Sequence, residues 1–416
     1  MRTSALLALA LLAHACSDPD PPQRLQPEPE SETTDEEGAD LLLHLGTLGY
    51  ADNTGEEVEE GASPVLTLDA ARAEPGATLI SSISAALLVD LEGRVLRTWS
   101  DPRAEMWSGV ELTPDGGLVA VGVLRKQADV LRAYLVGFTP TGKLRWRTVL
   151  RALHHDVDVF PDGRLATLAM RPREIPEFSE HRVLDDALLI LDAEGAVLEE
   201  HSLYDALAAR PDLLRFQNVG TPEAQAREGV DLFHANAIDL LAPEDVAELG
   251  DPLSRADALV TVRNQDCVVM LDLDSGEAVW AWGPGEVLGP HDASLLPGGR
   301  VLLFDNGWSK GGPPPGRTRG WSRVIEVEVA SGAIVWEYGR EESERFYSAS
   351  RGSVERLRGG NTLIGDSERG EAFEVTAAGE EVWRYANPRT DEQGRRETFF
   401  RARRIGTRML RRLKVD

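Results

Sequence analysis

Three of the eight histidines in this chain keep one phase of an internal repeat, and they are the residues best placed to do chemistry. The clearest copy runs from Gly289-Pro290-His291-Asp292 through a short strand to a tight turn at Pro297-Gly298-Gly299. A second short strand follows and ends at Asp305-Asn306-Gly307. When the copies are aligned by their turns, Pro114, Pro161 and Pro297 coincide, and Ser108, His155 and His291 stand six residues upstream. Less regular copies bring His234, Gly352 and Arg401 to about the same level. The far ends of the second strands carry Arg171, Arg263, Asn306 and Asp366. Histidines satisfied at random in a core would have no reason to share a phase.

Gathered at one mouth, three imidazoles, arginine and the amides of Asn236 and Asn306 form a cationic, donor-rich pocket. That chemistry suits a divalent oxyanion gripped by the arginine fork. Three histidines can also hold zinc, but an arginine in the same cluster repels a cation. The short-range zinc spacings are missing too. No metal or other cofactor is therefore expected. A neutral imidazole is a competent nucleophile and proton carrier near pH 7. Adjacent strand residues face opposite ways, so only one of His154 and His155 should look into the site, and the turn alignment favours His155. The competing reading is a set of hydrogen-bonded channel histidines without chemistry.

Elements that bring these residues together must repeat. A hairpin signature, apolar-Asp-x-x-Gly with a later Trp, recurs with variations around Gly93, Gly142, Gly195, Gly276, Gly332 and Gly379. The interval is about 50 residues, a propeller-blade period, with one longer gap. That gap holds 203–229 and the acidic stretch 242–255, which read as helical or loop insertions. Each repeat offers about four short strands. The fold class is all-β, a six-bladed β-propeller. Its Trp residues should pack between blades. The strand Thr398–Ile405 has no partner after it, and the strands near Thr78 and Ala85 have none before them. Pairing the two ends closes the ring and removes the free edges. The insertion 203–229 and the loop 307–319 should roof the mouth.

Composition bounds the partners. Asp and Glu number 70 against 44 Lys and Arg, a formal charge of −26, so nucleic acid is excluded as a partner. Residues 1–16 read as a lipoprotein-type signal. Arg2 precedes a short apolar run, and Ala13-His14-Ala15 precedes Cys16, the expected lipidation site. Residues 17–62 are acidic and Pro/Glu-rich and read as a disordered tether; the propeller takes 63–416. With Cys16 lipidated, Cys267 has no disulfide partner. The basic C-terminal residues, Arg401 apart, read as a solvated strand and helix. An exported protein is implied, periplasmic or held by a lipid anchor on the outer membrane of a Gram-negative-type envelope.

The segments His154-His155-Asp156, Phe233-His234-Ala235-Asn236, Val262-Arg263-Asn264-Gln265, Pro290-His291-Asp292 and Phe304-Asp305-Asn306-Gly307 carry a specific resemblance. In this order on six blades, across most of 75–400, the chain resembles the bacterial arylsulfate sulfotransferase family. The resemblance implies transfer of a sulfuryl group from an aryl sulfate ester to a phenol, without a nucleotide donor. It implies His291 as the nucleophile that forms a sulfohistidine. His155, His234, Asn236 and Arg263 would then bind the sulfuryl oxygens, and His155 or His234 would carry the proton. His154, Arg171, Asn306 and Arg401 complete the expected substrate-binding set. The chain departs from the family in having mostly acidic tether where those enzymes carry an N-terminal β-domain. The alternative function is a non-catalytic propeller lipoprotein, a scaffold at the cell envelope.

Overall fold

The computed structural model describes residues 53–59, 61–127, 130–217, 219–310, 316–340 and 346–415. The signal, Cys16 and most of the expected tether lie outside the described residues. The end of the stretch read as tether is nonetheless ordered: strand Asn53–Glu57 pairs with strand Arg395–Glu397.

Six sheets stand in a ring and make a six-bladed β-propeller, antiparallel except where the short strand Val230–Asp231 pairs in parallel with Val183–Leu191 of blade 3. The innermost strands of blades 1 to 6 are Phe399–Ile405, Ala104–Leu112, Leu153–Val159, Ala235–Leu240, His291–Leu296 and Ser353–Arg356. They touch one another in that order around a central channel. Blade 1 is closed as expected: the C-terminal strand pairs with Ala77–Ser82, from Ala77 opposite Ile405 to Ser82 opposite Phe399. The insertions are helical, at Leu203–Ala208 and Pro222–Glu228 between blades 3 and 4, and at Pro243–Ala247 within blade 4.

Local chemistry explains the repeat. In the turn at Asp90, the carboxylate accepts the Arg94 N–H at 2.8 Å, and Gly93 takes the positive φ of 84° that the turn needs. Strands in the middle of a blade, such as Ala85–Asp90 and Val183–Leu191, are buried along their whole length. Tryptophans on outer strands reach the hairpin turn of the next blade. The indole N–H groups of Trp282, Trp336 and Trp383 donate to the carbonyls of Gly332, Ala377 and Leu91 at 3.1, 3.2 and 3.0 Å. Trp336 and Trp383, at the repeat position, pack between blades as expected; in blade 4 the contact is made by Trp282, two residues beyond the repeat's Trp280.

The innermost strands have no sheet partner on the channel side, so their outward N–H groups need other acceptors. Side chains of the preceding blade supply them. Asp156 and Asp158 of blade 3 accept from Ile238 and Leu240 of blade 4 at 2.9 and 2.8 Å. Asp239 accepts from Leu295, and Asp292 from Val354, both at 2.7 Å. Ser353 and Glu355 of blade 6 accept from Ala402 and Arg404 of the closing strand at 3.0 and 2.7 Å. The carboxylates gathered in this way face two arginines of that strand. Arg401 forks onto both oxygens of Asp156 at 2.7 Å and reaches Asp292 at 3.1 Å. Arg403 forks onto Asp292 at 2.9 and 2.7 Å.

Two arginines do not neutralise every carboxylate here. Glu111, Asp158 and Asp239 are half-buried on the innermost strands. Burial, with added repulsion from Asp158, pushes Glu111 and Asp239 up to about 7. Burial pushes Asp158 up to about 6. An acid raised in the folded state stabilises it fully below the ordinary carboxylate value and loses that contribution as pH rises through the raised value. Relative to the parent, the Glu111→Gln, Asp239→Asn double variant should therefore gain melting temperature as pH rises from about 4 to about 7, because the buried histidines, whose lowered pKa values push the parent's slope the other way, are common to both proteins. An unchanged slope in a thermal-melt series would show these carboxylates to be ordinarily solvated. Replacing Arg401 with Met should cost about 3–5 kcal/mol in urea unfolding, because it strips a cation from a buried carboxylate. A loss under about 1 kcal/mol would mark the pair as water-screened.

Candidate active site

The site sits where the innermost strands of blades 3 to 6 begin. At this level the backbone leaves the ordinary strand conformation. His155, His234, Asp292 and Arg351 all have positive φ, between 49° and 58°. Such angles are costly for residues with a side chain and collect where function demands them. The pairing register also slips here, between His154 and Val157, between Ala235 and Ala237, and between His291 and Ser294. These bulges re-aim side chains. Strict alternation fails at the His154-His155 pair for that reason. Instead of facing opposite ways, the two rings meet, with Nδ1 atoms 2.8 Å apart.

His291 is the most completely determined member. Its Nδ1 lies 2.7 Å from Asn306 Oδ1 and 3.1 Å from the Gly289 carbonyl. Asn306 cannot be flipped, because its Nδ2 donates to the carbonyls of Ser348 and Arg351 at 2.8 and 2.6 Å. Two acceptors around Nδ1 place the proton there. The lone pair is then on Nε2, which the Arg351 N–H approaches at 3.2 Å. Burial, reinforced by the charge of Arg263, pushes His291 down to about 3, so the ring is neutral at physiological pH.

His234 is buried and points Nδ1 at Asp231 Oδ2, 2.7 Å away. Burial lowers its pKa, while Asp231 pulls the other way. His155 packs edge-on against His234, with ring centroids 4.7 Å apart. It is held well below the usual histidine value by burial, then by His234, His154, His291 and Arg263. His154 stands behind it, with Nε2 3.1 Å from Asp186 Oδ1. Asn236 donates to the Pro290 carbonyl at 2.9 Å, and its Oδ1 is buried with no hydrogen-bond partner among the described residues.

Arg263 supplies the charge. Its side chain is buried, and its guanidinium lies 5.0 Å from the centre of the Trp308 ring. Its Nε–H is buried with no acceptor among the described residues. A buried donor left in this way is ready for an anionic oxygen. Its field depresses the pKa values of His155, His234 and His291 together. The assembly can present a neutral imidazole lone pair beside a cationic fork and several N–H donors.

The structure thus brings together His154, His155, His234, Asn236, Arg263, His291 and Asn306. Two expected members are elsewhere. Arg171 is engaged with both oxygens of Glu200 at 2.8 and 3.0 Å on the blade surface. Arg401 is spent on Asp156 and Asp292 in the channel wall, since its strand packs as the partner of carboxylates and not of the mouth. Asp366 is buried at the end of its strand, with burial pushing it up to about 8. Three residues escaped the sequence reading. Arg351 immediately precedes Gly352, which the turn alignment selected. Asp231 stands three residues before His234. Trp308 follows Asn306-Gly307 on a short ribbon, Trp308–Ser309 paired with Arg317–Thr318.

Comparison with known proteins gives a family and distant folds. The family model for arylsulfotransferase (ASST) matches residues 150–388. Among curated proteins none matches the chain. A protein of unknown function from Bacteroides caccae is similar at 14% identity and TM-score 0.48, covering 76% of this chain and 95% of its own. In the nidogen/laminin complex a chain matches at 10% identity and TM-score 0.46, covering 78% and 97%. Virginiamycin B lyase from Staphylococcus aureus matches at 10% identity and TM-score 0.41, covering 77% and 87%. The family match covers more than half of the chain and contains His154, His155, His234, Asn236, Arg263, His291 and Asn306, and on that match this chain belongs to the arylsulfotransferase family.

Proposed function

We propose that this protein moves a sulfuryl group from an aryl sulfate ester to a phenol through a sulfohistidine on His291. The observation that carries the reading is the neutral His291, protonated on Nδ1 by its contact with Asn306, beside the buried guanidinium of Arg263. In the first step the Nε2 lone pair attacks sulfur. The N–S bond forms, the S–O bond to the aryl group breaks, and the aryl oxide leaves with the electron pair. The Nδ1 proton stays on the ring and remains shared with Asn306 Oδ1. Arg263, His155 and the second Nδ2–H of Asn236 surround the sulfuryl oxygens and offset their charge most where it shifts in the transition state. The Arg351 N–H, relieved of its contact with Nε2, turns to a sulfuryl oxygen.

Proton transfer is assigned to His234. Asp231 supports a charged imidazolium on that ring, whereas burial, the neighbouring imidazoles and Arg263 hold His155 well below the usual histidine value. In its charged form, which Asp231 supports, His234 gives its Nε2 proton to the departing aryl oxide, and the neutral ring so formed takes one back from the incoming phenol. The phenol oxygen then displaces Nε2 from sulfur and regenerates His291. Two chemical half-reactions imply ping-pong kinetics.

Brief exposure to 4-nitrophenyl sulfate should leave an acid-labile sulfuryl adduct on His291 that phenol discharges. Peptide mass spectrometry would locate it, and His291→Asn should abolish both adduct and transfer while the melting curve persists. Turnover retained by that variant would refute the nucleophile assignment. No adduct, no nitrophenol release and no protection by sulfate in a melt would favour the scaffold reading instead. Asp231→Asn should slow transfer to poor acceptors by about 100-fold. It should also shift the rate–pH profile toward acid, since His234 loses the partner that raises its pKa. An unmoved profile would assign the proton to another group.

A further inference from the structure

We infer that the indole of Trp308 is the platform for the aryl ring of donor and acceptor, so that the ribbon carrying it sets the preference for aryl over alkyl sulfates. This inference rests on the sulfotransferase reading of the same site. One face of Trp308 covers the Arg263 guanidinium at 5.0 Å, and the ring is only half-buried. An aryl sulfate has its ring one bridging oxygen away from the sulfur that carries its sulfuryl oxygens. With those oxygens on Arg263, the ring comes within contact distance of the indole that borders the same cation. An alkyl sulfate would make the oxyanion contacts and lack the ring contact.

The ribbon is fastened as a specificity element must be. Ser309 Oγ donates to Asp266 Oδ2 at 2.8 Å, and Arg317 pairs with the same oxygen at 2.6 Å. The other oxygen of Asp266 accepts the Gly289 N–H at 2.8 Å, two residues before His291. Gly289 has φ 61°, and a Cβ there would lie 2.1 Å from the Trp308 carbonyl oxygen. Arg319 pairs with Asp305 at 2.9 Å, immediately before Asn306. Both anchors therefore reach the turns that hold the nucleophile. The indole is fixed relative to His291, and ring position follows from sulfur position.

The test is calorimetric binding of phenyl sulfate, methyl sulfate and inorganic sulfate, with His291→Asn as the background so that binding alone is read. Adding Trp308→Ala should weaken phenyl sulfate roughly tenfold and leave methyl sulfate and sulfate nearly unchanged, while Trp308→Phe restores most of the loss. In the active protein, Trp308→Ala should raise KM for 4-nitrophenyl sulfate more than it lowers kcat. Equal weakening of all three anions would reduce Trp308 to a support for Arg263 and overturn the inference. So would an unchanged ratio of phenyl to methyl sulfate affinity. Failure of the underlying reading looks different: sulfate itself would not bind the parent protein.

Discussion

Each innermost strand of this propeller is an edge, and the whole structure depends on how those edges are satisfied. Water could hydrate the exposed N–H groups only in a wide channel. Here carboxylates of one blade accept the N–H groups of the next, at Asp156, Asp158, Asp239, Asp292 and Glu355. The hydrogen bonds weld blade to blade where the sheets themselves cannot. They also concentrate acid in a narrow tube. Arg401 and Arg403 offset part of that charge, and the raised Glu111, Asp158 and Asp239 accommodate more by holding protons. The negative balance of the chain is thus carried partly within its own core.

The histidine cluster lies directly above this belt and reverses its character. Asp292 faces the arginines of the closing strand, while its neighbour His291 faces Asn306. The sharp change within two residues is made by the bulge and the left-handed backbone at Asp292. Similar departures at His155, His234 and Arg351 repeat the device on adjacent blades. Burial keeps His155 and His291 neutral, and one arginine supplies the positive field. Such a pocket favours an anion without protonating the imidazole beside it.

Much of this was legible in the chain. Turn residues recur at blade intervals, so Asp90-Leu91-Glu92-Gly93 and its later copies disclosed the blades. The unmatched strand at Thr398–Ile405 disclosed the closure. The phase of the turns brought His155, His234 and His291 to one level, because it fixes height along the channel. It does not fix direction. Arg171 and Arg401 were at a suitable height but turned to carboxylates, which no spacing rule announces. Bulges broke the alternation that would have separated His154 from His155. Arg351 was hidden because its contribution is a backbone N–H and a carbonyl, which any residue type has. Trp308 was hidden because it lies on a ribbon outside the repeat.

Closure by the C-terminal strand has a kinetic consequence. The ion pair between Arg401 and Asp156 joins residues 245 positions apart. Closing so long a loop costs entropy before the contact returns any stability, and such non-local topologies fold slowly. Until Phe399–Ile405 is made, blade 1 lacks its inner strand and Asp156 and Asp292 lack their arginines. Blades 2 to 6 can form beforehand, but the belt beneath the histidines waits for this strand. The site is therefore assembled only once the closing strand has been made, and a product cut before it would retain most of the blades without the electrostatic floor on which the histidines stand.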